Sequence, residues 1–254
     1  MLIATWNVNS IRARLPRLLA WLQKRQPDVV CLQELKVEEA AFPFAELAAA
    51  GYHAAVCGQK TWHGVAILAR SEPRAVRRGL DDDPHDSQAR LIAATVDGIR
   101  IFSAYVPNGS TVGSDKYLYK RGWLTRLGRR LRLQEDLGQP LLLAGDFNIA
   151  PQERDVHNPR QWEDSVLYHP QMRQDFQELL ACGLIDLGGS HLPAGTYSWW
   201  DYRQLSFPRN DGLRLDHLLA TPMLTSRCTE VLVDRDERKG DTPSDHAPVL
   251  ARFF

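Results

Sequence analysis

A chain of 254 residues is long enough to bury a sizeable core, and its apolar and charged fractions are those of an ordinary globular protein. Its 31 Lys and Arg balance 31 Asp and Glu, so no global charge calls for nucleic acid; a polyanion would need a local basic surface and bound metal. Cys31, Cys57, Cys182 and Cys228 show no CxxC spacing and no apolar run approaches membrane-spanning length, which excludes a disulfide scaffold and a membrane anchor and predicts a reduced, cytoplasmic protein.

Residues 2–9 predict a strand, apolar first and carrying Asn7 and Asn9 at its end. Ser10 can cap the helix that follows, in which Leu15, Leu18, Leu19 and Leu22 fall at helical spacing. Pro16 is tolerated in its early turn, and Pro27 ends it. Residues 28–33 predict a second buried strand that closes on Glu34 and Lys36. A short helix over 43–50 stops at Gly51, and 52–57 and 64–69 read as adjacent strands. Residues 90–96 and 99–105 are strands joined by Asp97-Gly98, the strongest kind of hairpin signal, and the second runs into Tyr105-Val106-Pro107-Asn108. A long basic helix is expected over about 114–137.

The chain is organised around Leu141-Leu142-Leu143-Ala144-Gly145-Asp146-Phe147-Asn148. The unbroken apolar run predicts a strand buried on both faces, and it ends without transition on Asp146 and Asn148, which point to one side. A buried carboxylate without a partner is costly, so a cation or donors should meet it. Taken alone, Asp146 could equally open a turn stopped by Pro151. Residues 150–169 read as a long polar loop, usually a functional feature, before a helix over 170–182. The last third holds Thr196-Tyr197-Ser198-Trp199-Trp200, Leu213-Arg214-Leu215-Asp216-His217-Leu218-Leu219, an apolar stretch over 229–233, and Ser244-Asp245-His246-Ala247-Pro248. With no linker or repeat, a single domain over 1–254 of mixed strands and helices is expected.

Strand ends thus offer Asn7, Glu34, Tyr105, Asn108, Asp146, Asn148, Asp216, Asp245 and His246. Singly each is ordinary: a lone Asp216 is more often salt-bridged in a core, and a lone His246 beside Pro is usually structural. Together they are oxygen-rich with one imidazole, which suits Mg²⁺ or Mn²⁺ and argues against zinc. A hard cation, a His and carboxylates fit metal-assisted attack of water on a phosphodiester. Walker, dinucleotide and Gly-x-Ser-x-Gly motifs are missing, so no nucleotide cofactor or serine-hydrolase chemistry is expected.

From Trp6-Asn7-Val8-Asn9 to Ser244-Asp245-His246-Ala247-Pro248 the chain resembles the exonuclease III family of apurinic/apyrimidinic (AP) endonucleases, within the DNase I-like metal-dependent phosphoesterases. The most specific pieces are Pro27-Asp28-Val29-Val30-Cys31-Leu32-Gln33-Glu34-Leu35-Lys36, Gly145-Asp146-Phe147-Asn148 and Asn210-Asp211-Gly212-Leu213-Arg214-Leu215-Asp216, in the family's order. The resemblance implies an α/β four-layer sandwich: two packed mixed sheets flanked by helices, with the site at one edge. It implies Glu34 as the principal Mg²⁺ ligand, assisted by Asn7 and Asp245, with Asp146 and Asn148 also beside the metal. It makes Asp146 the group that activates or orients water, Asn148 a phosphate-contacting amide, and Tyr105 a neighbour of the phosphate and leaving group. Asp216 and His246 match a pair in which the carboxylate fixes an imidazole on the scissile phosphate. Whether Asp146 or His246 is the base, and whether one metal or two act, stays open. Trp199, Leu213 and Leu215 match the apolar pocket for a flipped-out baseless sugar, with core packing as the plainer alternative. Lys36 and Asn108 complete the implied DNA contacts.

The implied activity is Mg²⁺-dependent DNA repair: cleavage 5′ to abasic sites and removal of nucleotides 3′ to 5′ from duplex DNA, by a monomer. The rivals are a phosphatase of the same superfold acting on other phosphoesters and a binding protein that lost the chemistry. The first should lack the segment from Tyr105 to Asn108 and the Trp199 pocket, and the second should have lost metal and phosphate residues; all are present. One departure stands out. Asp186-Leu187-Gly188-Gly189 replaces a stretch that in many relatives carries an aromatic and a basic side chain near the pocket loop.

Overall fold

The computed structural model describes residues 1–80, 86–132 and 138–254. The strands are β1 (Leu2–Asn7), β2 (Val29–Gln33), β3 (His53–Cys57), β4 (Val65–Ala69), β5 (Arg74–Arg78), β6 (Leu91–Val96), β7 (Ile99–Tyr105), β8 (Leu141–Asp146), β9 (Ile185–Asp186), β10 (Asp216–Ala220), β11 (Cys228–Val233) and β12 (Val249–Phe253). They build two six-stranded sheets, ordered β11-β12-β1-β2-β4-β3 and β5-β6-β7-β8-β10-β9. The helices are α1 (Ile11–Arg25), α2 (Phe44–Ala49), α3 (Asp115–Arg132), α4 (Pro159–Trp162), α5 (Pro170–Leu180), α6 (Leu187–His191) and α7 (Pro222–Thr225).

Both sheets follow one plan. The central pair is parallel, β1 with β2 and β7 with β8, and its outer neighbours β12, β4, β6 and β10 run antiparallel to it. Parallel strands end at the same edge, and antiparallel neighbours begin there. The polar ends of β1, β2, β7 and β8 therefore meet the starts of β10 and β12 along one rim.

Alternation along the strands makes the layers. Leu142 and Ala144 of β8 face the other sheet and pack with Ile3, Val29, Cys31 and Ile67. Leu141 and Leu143 face outward beneath Trp123 and Leu127 of α3 and Phe176 and Leu179 of α5. Ala4, Trp6, Val30 and Leu32 face outward on the other side, under Leu18, Trp21 and Leu22 of α1. The result is the expected four-layer sandwich, because strands covered on both faces need two further layers. Gly145 lets β8 lie close to β7: a Cβ there would fall 1.9 Å from the Ala104 carbonyl oxygen.

Three expectations shift. Arg74–Arg78 forms β5, an edge strand that was not read because arginines replace its apolar residues. The basic helix is described to Arg132, and the expected extension over 133–137 lies outside the described residues. The segment from Leu213 becomes regular strand only at Asp216, after isolated bridges to Val156 and Trp199. Among the described residues no helix is long and apolar enough to cross a membrane. All four cysteines are free.

Candidate active site

The rim gathers residues from both sheets. Asn7, at the end of β1, donates its amide N–H groups to Glu34 Oε1 (3.0 Å) and Asp146 Oδ2 (2.9 Å), joining the two sheets. Its Oδ1 accepts from the Asn9 backbone N–H. Glu34 follows β2 in the left-handed region (φ 53°), which turns its carboxylate back over the rim. Glu34 Oε1 also accepts from the Tyr105 hydroxyl (2.8 Å), and Oε2 lies 3.0 Å from Lys36 Nζ. Burial, with Glu34 and Asp146 alongside, pushes the Tyr105 hydroxyl well above its usual pKa, so it remains a donor.

Register creates the next contact. Asp216 opens β10 directly opposite Asp146 at the end of β8. His246 lies between these carboxylates, with Nδ1 2.7 Å from Asp216 Oδ2 and Nε2 3.6 Å from Asp146 Oδ2. Burial alone would depress the imidazole, but Asp216 and then Asp146 overcome it and raise its pKa to about 10. Burial pushes Asp146 up to about 7 against the pull of His246. Asn148 (φ 51°) donates its amide to the Val106 carbonyl (3.0 Å) and accepts from Asn108 Nδ2 (3.1 Å). Its backbone N–H donates to Asp146 Oδ1 at 2.9 Å.

Asp245 stands beside this group. Its Oδ1 accepts from Asn9 Nδ2 (2.9 Å), and its Oδ2 accepts from the Trp199 indole N–H (3.0 Å). Trp199 is half-buried and packs against the core, whereas Leu213 and Leu215 are 0% and 1% exposed. Both leucines are therefore core residues with almost no accessible surface.

Among the described residues, the four carboxylates Glu34, Asp146, Asp216 and Asp245 make direct ion pairs only with Lys36 and His246. Asp216 Oδ1 is buried without a hydrogen-bond partner. Surplus negative charge on oxygen donors suits a hard divalent cation. Among the described residues, Asp146, Asp216 and His246 bring possible metal-ligand atoms within 4.8 Å of one another. Both His246 nitrogens already face carboxylates there, and the Glu34 side chain, 18% exposed, is more accessible to a cation than Asp146 or Asp216.

Three residues that shape the site stood outside the candidate set, although Asn9 was legible at the end of the first strand. Asn9 bridges Asp245, Lys36 Nζ (2.5 Å) and Asn7. Lys120 of α3 is wholly buried and donates to the carbonyls of Asn148 (2.7 Å), Asn108 (3.1 Å) and Val166 (3.3 Å), tying three loops together; burial lowers its pKa to about 7. Its signal was visible as a lone lysine in the apolar stripe of Tyr117, Leu124 and Leu127. Arg214 pairs with Asp155 (2.8 Å) and Asp186 (2.8 Å). That pairing accounts for the departure noted above: a Cβ on Gly188 would lie 2.8 Å from Arg214 Nη1, so glycine leaves room for the guanidinium.

Fold and rim together define a phosphoesterase, and a model of the Endonuclease/Exonuclease/phosphatase family matches residues 4–246. The chain belongs to that family, whose members depend on a metal ion, and within it to the exonuclease III class of DNA-repair nucleases. It is 36% identical to exodeoxyribonuclease III of Haemophilus influenzae, with 100% of both chains covered. Its structure is similar to that of an AP endonuclease from Archaeoglobus fulgidus (39% identity, TM-score 0.96, covering 100% of this chain and 99% of that one). It is similar also to the 3′ phosphatase NExo from Neisseria, bound to a product DNA hairpin (42% identity, TM-score 0.97, covering 100% and 99%).

Proposed function

We propose that the protein hydrolyses phosphodiesters of duplex DNA with Mg²⁺, cleaving 5′ to abasic sites and trimming 3′ ends. The observation that carries this reading is His246 held between Asp216 and Asp146 on the rim that also bears Asn7, Glu34 and the half-open face of Trp199. Glu34, Asn7 and Asp245 would hold the ion, which when bound neutralises charge on the phosphoryl and leaving-group oxygens.

An imidazole flanked by two carboxylates is a donor, so His246 serves as the cation that meets a phosphoryl oxygen, oriented by Asp216. Asp146 is then the acceptor for the proton of the attacking water. The Asn148 amide donates to the phosphate, and Tyr105 holds a proton beside the departing oxygen. Trp199 walls the space for a baseless sugar, whose extrusion costs least because no base is stacked. Terminal 3′ phosphates need the same machinery, and the likeness to a 3′ phosphatase favours them as a second substrate.

The test pairs a duplex carrying one abasic analogue with an intact duplex and a 3′-phosphorylated duplex, each with Mg²⁺ or EDTA. Mg²⁺-dependent incision at the analogue is expected. Full activity in EDTA would remove the metal from the reading. Loss of 3′ ends without incision would restrict the enzyme to them.

A further inference from the structure

We infer that the Trp199 indole N–H positions the Asp245 carboxylate for the metal, so that the wall of the sugar pocket and the metal site work as one unit. This rests on the metal reading proposed above.

Each oxygen of Asp245 has its own side-chain donor, Asn9 Nδ2 on Oδ1 at 2.9 Å and Trp199 Nε1 on Oδ2 at 3.0 Å. Two donors on opposite oxygens fix the plane of the carboxylate. The indole is itself fixed. The Trp199 N–H donates to Leu213 O (2.9 Å), its carbonyl accepts from the Leu213 N–H (3.0 Å), and the next residue, Trp200, donates its N–H to Asp245 O (3.0 Å). The main chain thus binds the tryptophan both to the segment that leads into β10 and to Asp245. Trp199 packs against the core, and its ring lies edge-to-face with Trp162 at 6.0 Å between centroids. A sugar against the indole would therefore press on a group bonded to a metal ligand. By linkage, whatever factor pocket occupancy applies to metal affinity, the metal applies to pocket occupancy.

The test is Mn²⁺ binding by calorimetry, without DNA, to the whole protein and to Trp199→Phe, Asp245→Asn, their double variant and Glu34→Gln. Trp199→Phe keeps the ring and removes the donor; it should weaken Mn²⁺ about tenfold, as loss of a partner to a metal ligand does. The double variant should bind no more weakly than Asp245→Asn alone. Wild-type affinity in Trp199→Phe beside weakened Asp245→Asn overturns the inference and leaves the metal reading standing. Unchanged affinity in both Asp245→Asn and Glu34→Gln overturns the metal reading and the inference with it. Independently of any variant's folding, Mg²⁺ should shift the Trp199 indole N–H resonance in ¹⁵N-labelled wild-type protein, and an unmoved resonance overturns the inference.

Discussion

At the scale of single residues, the proposed chemistry turns on one imidazole between two acids. His246→Asn removes the cation while keeping an amide near Asp216, and kcat on an abasic duplex should fall about 10²–10⁴-fold with little change in DNA affinity. Asp216→Asn should lose a similar factor, and the double variant should be close to the worse single, since the carboxylate acts through the imidazole. Multiplicative losses in single-turnover kinetics would show that the two act separately. Stability carries the same signature. The folded His246 binds its proton more tightly than the unfolded chain does, so its contribution is complete below about pH 6.5 and is lost as pH rises toward about 10. Urea unfolding in EDTA should show stability falling across that window, and His246→Asn should flatten the fall by about one proton's worth.

At the scale of elements, Arg214 ties two distant pieces of chain to its own segment. It meets Asp155 in the 3₁₀ turn Glu153–Asp155, Asp186 at the end of β9 and ahead of α6, and His217 of β10. His217 reaches Ile149 O at 2.8 Å, directly after Asn148. Burial alone would raise the Asp186 carboxyl, but Arg214 and His217 hold it well below the usual carboxylate range. Removing the guanidinium leaves buried carboxylates unpaired, so Arg214→Met should cost about 3–5 kcal/mol near pH 7. A carboxylate with a depressed folded pKa stabilises above its unfolded value, and this is lost as pH falls. The gap between wild type and Arg214→Met should therefore shrink below about pH 4 in equilibrium unfolding. A gap that is constant with pH would mean that Arg214 acts by packing alone.

At the scale of the whole molecule, the rim is a seam between sheets, closed by Asn7 with Asp146. A cation drawing on this seam binds only the folded chain. Mg²⁺ at about 100 times its Kd should add about 2.7 kcal/mol, hence roughly 5–10 °C in Tm for a chain of this size, reversed by EDTA. Glu34→Gln should lose most of that increment. An equal Mg²⁺ shift in Glu34→Gln would place the ion elsewhere.

The sequence by itself determined the central strands and their polar ends. Val29-Val30-Cys31-Leu32 and Leu141-Leu142-Leu143 have no solvent face to offer, so they had to be covered on both sides, and Glu34 and Asp146 had to end at an edge. Asn7, Glu34, Tyr105, Asp146, Asn148, Asp216, Asp245 and His246 were legible for that reason, and the structure brings them onto one rim. Only the tertiary structure decided which of them touch. Pairing Asp216 with Asp146 is a matter of register between strands 70 positions apart in the chain, and a one-residue slip would turn Asp216 to the other face. Lys120 and Arg214 stood outside the candidate set because their carbonyl and carboxylate partners come from distant loops. Leu213 and Leu215 matched a pocket in sequence, yet they are buried in the core cluster against which Trp199 packs. Local pattern specifies which groups must escape solvent or find partners; long-range packing chooses the partners, because that choice depends on distances no short stretch of chain encodes.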